Sequence, residues 1–155
     1  MSGRRRNRQR SIGLRFLLEV NVLVALAFPN HSSHQLAHTW FRREADRQWA
    51  TCALTQAGFL RTASRALGGS HDAFRKALAG LECDCRNSNH EYWPVNVDLR
   101  DLSDSQRSRL IGPNQIADMQ LLLLAHRHRG QLATFDTGLK ELAVGTPYVN
   151  SLLVL

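Results

Sequence analysis

The sequence predicts an α/β protein with a central, mainly parallel sheet and helices packed against it. Two observations carry this prediction. Short apolar segments alternate along the chain with longer segments of helical periodicity, the pattern of strands joined by crossover helices. The first apolar run, FLLEVNVLVAL over 16–26, is nearly continuous, as suits a strand covered on both faces. That run also poses a chemical question, because it contains Glu19 and Asn21. An unpaired buried carboxylate costs several kcal/mol, so such a group is normally paired, neutralised or bound to a metal.

The elements follow in order. A first strand occupies all or part of RFLLEVNVLVAL, and FPNHSSHQ turns the chain into a helix over 33–47 with Leu36, Ala37 and Trp40 at helical spacing. QWATCALT reads as a second strand, with Thr55 placed to cap the helix QAGFLRTASRAL. LGGS breaks the chain, and Ser70 caps a helix whose Phe74, Leu78 and Leu81 share a face. HEYWPVNV reads as an edge strand, since Pro94 cannot donate to a central ladder. A short helix in LSDSQRSRL precedes GPN, and QIADMQLLLLAHRHRG is a long helix closed by Gly130. QLATFD is a short buried strand, TGLKELA a helical turn, and YVNSLLVL a closing strand.

Composition limits the function classes. The chain has 155 residues, 43% of them hydrophobic, enough for one domain with a real core. Its net charge of +7 is concentrated at the start, where Arg4, Arg5, Arg6, Arg8, Arg10 and Arg15 face no acid. The remaining fourteen Lys and Arg side chains are matched by thirteen acids, so the body is nearly neutral. Residues 1–13 therefore read as a disordered basic tail, either an arm for phosphates or a solubilising extension, ahead of a domain over 14–155. The apolar run lacks a small-residue cleavage site and carries Glu19 and Asn21, which argues against a secretory signal. No apolar run reaches the ~18 residues that span a membrane. Three cysteines, Cys52, Cys83 and Cys85, form no zinc pattern, and their odd number suits a reducing, cytoplasmic setting.

Three acids stand where the predicted sheet would gather them. Glu19 lies in the first strand, Asp136 directly follows the apolar LATF, and Asp118 lies near the start of the leucine-rich helix. Open parallel sheets bind ligands at the carboxyl ends of their strands. Glu19 reaches that edge if the first strand ends near Val20 or bends at Asn21. Carboxylates brought together repel and raise one another's pKa unless a cation neutralises them. An all-oxygen set suits Mg²⁺ or Mn²⁺. The competing readings are local: Asp118 as an acid favoured by a helix dipole, and Asp136 as a turn residue or cap.

The blocks FLLEVNVLVALAFPNHSSHQLAHTWF, WATCALTQAGFLR and IGPNQIADMQLLLLAHRHRGQLATFDTGL, in that order, resemble the PIN-domain ribonucleases, and among them the VapC-type toxins of bacterial toxin–antitoxin pairs. The resemblance covers most of the chain from Leu14 to Leu139. It implies a PIN-like three-layer α/β fold, Mg²⁺- or Mn²⁺-dependent cleavage of RNA, inhibition by a VapB-like antitoxin, and a homodimer. Residue by residue, it implies that Glu19, Asp118 and Asp136 are the catalytic metal ligands. Asn21 and Thr134 are implied as supporting residues, and Gln56 stands where many relatives carry a glutamate. Three departures bear on activity: Glu19 replaces the usual aspartate, Ala117 stands where a hydroxyl residue is expected, and Gln56 removes a charge. Since a misplacement of about 1 Å can cost on the order of 10²-fold in rate, a weakened site kept as a binding module for antitoxin or RNA is the alternative.

Other residues have plainer readings. His31, His34 and His38 share a helix face, where a solvated helix start outweighs a zinc site. Arg42, Arg43 and Arg47 alternate with Glu44 and Asp46 as a solvated face. His126 and His128 suit a helix carboxyl end. Arg61, on the helix after the second strand, is a candidate substrate-binding phosphate contact, with an ordinary surface arginine as its alternative. Trp40, Phe59 and Phe74 read as core or interface.

Overall fold

The apolar run that opens the chain divides into a strand and a helix. In the computed structural model, which describes residues 13–155, β1 spans Arg15–Leu18 and α1 spans Val20–Ala27. The expected longer strand is corrected here. Val22, Leu23, Val24 and Ala25 are all buried on a helix, and a short run apolar on every side cannot by its periodicity tell a buried helix from a buried strand. The arginine tail and its expected disorder lie outside the described residues.

The remaining elements are α2 (His34–Arg42), β2 (Gln48–Thr51), α3 (Ala53–Ala66), α4 (His71–Cys85), β3 (His90–Tyr92), α5 (Asp104–Arg107), α6 (Asn114–Arg127), β4 (Gln131–Thr134), α7 (Leu139–Ala143) and β5 (Leu152–Val154). The five strands pair in the order β3-β2-β1-β4-β5, and every pairing is parallel. β3 lies at an edge and ends one residue before Trp93-Pro94, as the proline requires.

Alternation along the strands builds two cores. Leu17, Ala50 and Leu132 face the α6 and α7 side, where Met119, Leu122 and Leu124 are completely buried. Phe16, Leu18, Trp49 and Ala133 face the opposite layer, built from α1 to α4. Helices thus cover both faces of the sheet in three layers, as predicted.

Several local expectations are revised. The helix expected over 33–47 ends at Arg42, and Arg47 is not on a solvated face but 5% exposed. Its guanidinium donates to the Trp40 carbonyl (2.9 Å) and the Phe41 carbonyl (3.2 Å) and lies over the Trp40 and Phe16 rings. A cation past the end of α2 thereby satisfies the Phe41 carbonyl and adds a second donor to the Trp40 carbonyl, which already accepts from the Arg43 amide (3.4 Å). Leu36 is half exposed, and Phe74 is 42% exposed, because the buried face of α4 runs through Ala73, Ala77 and Leu81 instead. Ser70 caps α4 through the Ala73 amide, as expected. α3 is capped at Cys52, and Thr55 acts three residues later, bonding back to the Cys52 amide (3.0 Å).

Neither do the histidines of α2 form a solvated start. His34 and His38 bond the Ala25 and Leu26 carbonyls (2.7 and 3.0 Å), tying α2 to the open end of α1. At the end of α6 it is Arg129, with φ 53°, that takes the left-handed turn expected of Gly130. The Gly130 amide then reaches the Ala125 carbonyl (2.9 Å) and the Arg129 amide the His126 carbonyl (2.9 Å), the Schellman pattern. Gly130 is required for space instead: a Cβ there would lie 2.6 Å from the Arg15 carbonyl oxygen and 2.8 Å from the Trp93 ring. His128, beside it, stacks on Trp93 with ring centroids 4.1 Å apart.

Candidate active site

The order of the sheet decides where a ligand can sit. From β1 the chain moves outward through β2 and β3, then returns to the other side of β1 for β4 and β5. The topological switch lies between β1 and β4, and ligands of such sheets bind beyond the carboxyl ends of the strands that flank it. Glu19 is the residue after β1, and Asp136 is the second residue after β4. Asp118 lies on α6, past its first turn, which removes the dipole-favoured reading for it.

Glu19 is anchored through both backbone and side chain. Its amide donates to the Ala133 carbonyl (3.0 Å), extending the β1–β4 ladder by one step. Its own carbonyl accepts from the Val22 and Leu23 amides, starting α1. Its side-chain Oε2 accepts from the Thr134 hydroxyl and from Asn21 Nδ2 (2.9 Å). Asn21 also bonds Thr134 Oγ1 (3.2 Å), and its Oδ1 accepts from the Phe135 amide (3.3 Å). The Asp136 amide donates to Thr134 Oγ1 (2.9 Å). Asn21 and the completely buried Thr134 thus bind the ends of β1 and β4 together around one carboxylate oxygen.

The acids influence one another. Burial pushes the Glu19 carboxyl above the usual range, the Thr134 bond pulls it back, and the charges of Asp118 and Asp136 push it further up. The Asp118 carboxyl is raised first by burial and then by Asp136. Asp136 is exposed, and its Oδ1 accepts from the Gly138 amide (2.7 Å), so the turn reading of this residue also holds. Glu19 Oε1, Asp136 Oδ2 and both Asp118 oxygens have no hydrogen bond among the described residues. The three side chains are neighbours without closing into a cage: among the described residues, no three His, Cys, Asp or Glu side chains gather tightly enough to hold one ion as they stand. The donors are all carboxylate oxygens, which is the chemistry that Mg²⁺ and Mn²⁺ select.

Two predicted residues make no hydrogen bond to this group. Gln56, in the first half of α3, donates to Thr51 Oγ1 (3.0 Å), which in turn meets His90 Nε2 (2.8 Å). It braces the β2–β3 side and makes no hydrogen bond to the three acids. This network was not visible in the sequence, where no spacing links residues 51, 56 and 90. Arg61 lies exposed on the outer face of α3, without a hydrogen bond or ion pair to the acids. A hollow of about 570 Å³ between α1, α2 and α4, lined by Leu23, Phe41, Trp49 and Leu81 among others, includes none of the three acids.

Comparison with known proteins agrees with this architecture. The sequence profile of the PIN domain matches residues 16–145. The chain belongs to the PIN-domain family. Ribonuclease VapC44 of Mycobacterium tuberculosis is 38% identical over 131 residues, 84% of this PIN-domain chain and 92% of its own length. Ribonucleases VapC39 and VapC29 of the same organism are each 36% identical, over 82% and 81% of this chain and 92% and 89% of their own lengths. These relatives put the chain among VapC-type PIN domains. No helix among the described residues is long and apolar enough to cross a membrane.

Proposed function

We propose that this PIN domain is a metal-dependent endoribonuclease of the VapC type, with Glu19, Asp118 and Asp136 as its catalytic acids. The observation that carries the reading is the position of Glu19 and Asp136 just past the carboxyl ends of β1 and β4, at the sheet's switch point, with Asp118 of α6 near enough for its charge to act on Glu19. The free oxygens of Glu19, Asp118 and Asp136 would hold Mg²⁺ or Mn²⁺. Such an ion supplies charge for a phosphate and lowers the pKa of a bound water.

The chain's own contribution is placement. Asn21 and Thr134 fix one oxygen of Glu19, so the other faces the ligand without a search over rotamers. Glu19 and Asp118, raised first by burial and then by the neighbouring carboxylates, would both gain from an arriving cation, whose charge offsets that repulsion. The reaction is in-line attack of water on phosphorus with departure of one ester oxygen, which leaves a phosphate and a hydroxyl end. The names of the relatives support RNA as the substrate. By the same kinship we propose a VapB-like antitoxin as partner and a homodimer as the assembled form.

A second reading has one observation in its favour. Glu19 already spends an oxygen on Thr134 and Asn21, which leaves fewer donors for an ion and fits a PIN fold retained as a binding module for antitoxin or RNA. A cleavage assay separates the two. Purified protein with Mg²⁺ or Mn²⁺ is incubated with tRNA, rRNA and mRNA fragments. The enzyme reading expects discrete cuts that are lost in EDTA and lost in Asp136→Ala. RNA left intact by the wild-type chain with either ion would transfer the assignment to the binding module.

A further inference from the structure

Gly58 belongs to no motif of the acid site, yet its place in the fold links it to that site. It lies inside α3, where glycine weakens a helix and therefore has a reason for being there. A Cβ at this position would sit 2.5 Å from Val20 Cγ2 and 3.6 Å from Val20 Cβ and Cγ1. α3 and α1 approach this closely because residue 58 carries no side chain.

Val20 opens α1 and is bonded directly to Glu19. Its two methyl groups branch at Cβ, so a turn of χ1 leaves only staggered alternatives and swings the second methyl as it moves the first. Glu19 in turn is held to β4 by its amide and to Thr134 and Asn21 by its carboxylate. A side chain at 58 would therefore displace the start of α1, and with it the first acid of the site, against partners on β4 that do not move with it.

We infer that Gly58 is a positioning residue of the acid site: its missing side chain sets the distance between α3 and α1 and so holds Glu19 in register with Asp136. The effect on catalysis rests on the ribonuclease reading above, whereas the effect on geometry does not. Displacing a catalytic group by about 1 Å costs on the order of 10²-fold in rate, so a tenfold to hundredfold loss is the expected scale.

The test compares wild type, Gly58→Ala and the double variant Val20→Ala/Gly58→Ala. Two readouts are taken: RNA cleavage at saturating substrate with Mg²⁺, and the amide resonances of Phe135 and Asp136, whose N–H groups bond Asn21 and Thr134. Gly58→Ala is expected to shift both resonances and to lower kcat about tenfold to hundredfold with KM changed less than twofold. The double variant, which removes the methyl in the way, is expected to restore both. Unchanged resonances and rate in Gly58→Ala overturn the inference, as does a loss that Val20→Ala fails to reverse. If Gly58→Ala does not fold, a double variant that folds with wild-type resonances supports the inference, and one that also fails overturns it. If wild type cuts no RNA, the ribonuclease reading falls, and the resonances alone decide the positioning.

Discussion

Glu19 and Asp118 are held in the folded chain at proton affinities above those of ordinary carboxylates, chiefly by burial. The folded state therefore binds their protons more tightly than the unfolded state. Stability drawn from these two groups is greatest at low pH and is lost as pH rises from about 4 through their raised values. Other carboxyls act in the opposite sense, Glu91 beside Arg15 among them, so the informative quantity is a difference between variants. In EDTA, Asp118→Asn is expected to melt higher than wild type at pH 7, with the gap closing as pH falls toward 4. Parallel melting curves at all pH values would show that Asp118 carries no repulsion. The sequence disclosed the three acids by type and by position at segment ends, but not their individual tethers. Nothing in the string LATFDTG shows that the Thr134 hydroxyl serves Glu19 while the Gly138 amide engages Asp136.

Segments with a distinctive chemistry of their own were legible as elements. The leucine run of α6, the Ser70 cap of α4 and the Pro94 limit on β3 each depend on neighbours in sequence, and each is found where it was expected. The failures lie where tertiary contact overrides local pattern. Within FLLEVNVLVAL no periodicity marks where the strand stops and α1 begins, and Arg47 reads as solvated among Glu44 and Asp46 until Trp40 and Phe16 are found around it. That buried guanidinium closes α2 and covers two aromatic rings. Arg47→Ala is expected to cost about 3 kcal/mol, since it leaves the Phe41 carbonyl unpaired, takes a charged donor from the Trp40 carbonyl and opens a gap between the rings. For a chain of this size the loss lowers Tm by roughly 6–12 °C, measurable by circular dichroism. A Tm within 2 °C of wild type would assign Arg47 no structural part.

At the level of the whole molecule, parallel strands ordered β3-β2-β1-β4-β5 make the site, because that order puts the carboxyl ends of β1 and β4 side by side. The alternation of apolar and helical segments announced a parallel sheet. The strand order is not written in any local pattern; resemblance to PIN domains implied the three layers and the mainly parallel sheet. Gln56, which kinship also assigns to the site, donates to Thr51 beside His90, a contact that no spacing in the sequence foretells. If Glu19, Asp118 and Asp136 share one divalent ion, calorimetric titration of Mn²⁺ into the purified chain will register it. One ion per chain is expected in wild type, with at least tenfold weaker binding in Asp118→Asn and in Asp136→Asn and circular dichroism unchanged. Wild type that binds no Mn²⁺, or variants that bind it as wild type does, would contradict a shared ion.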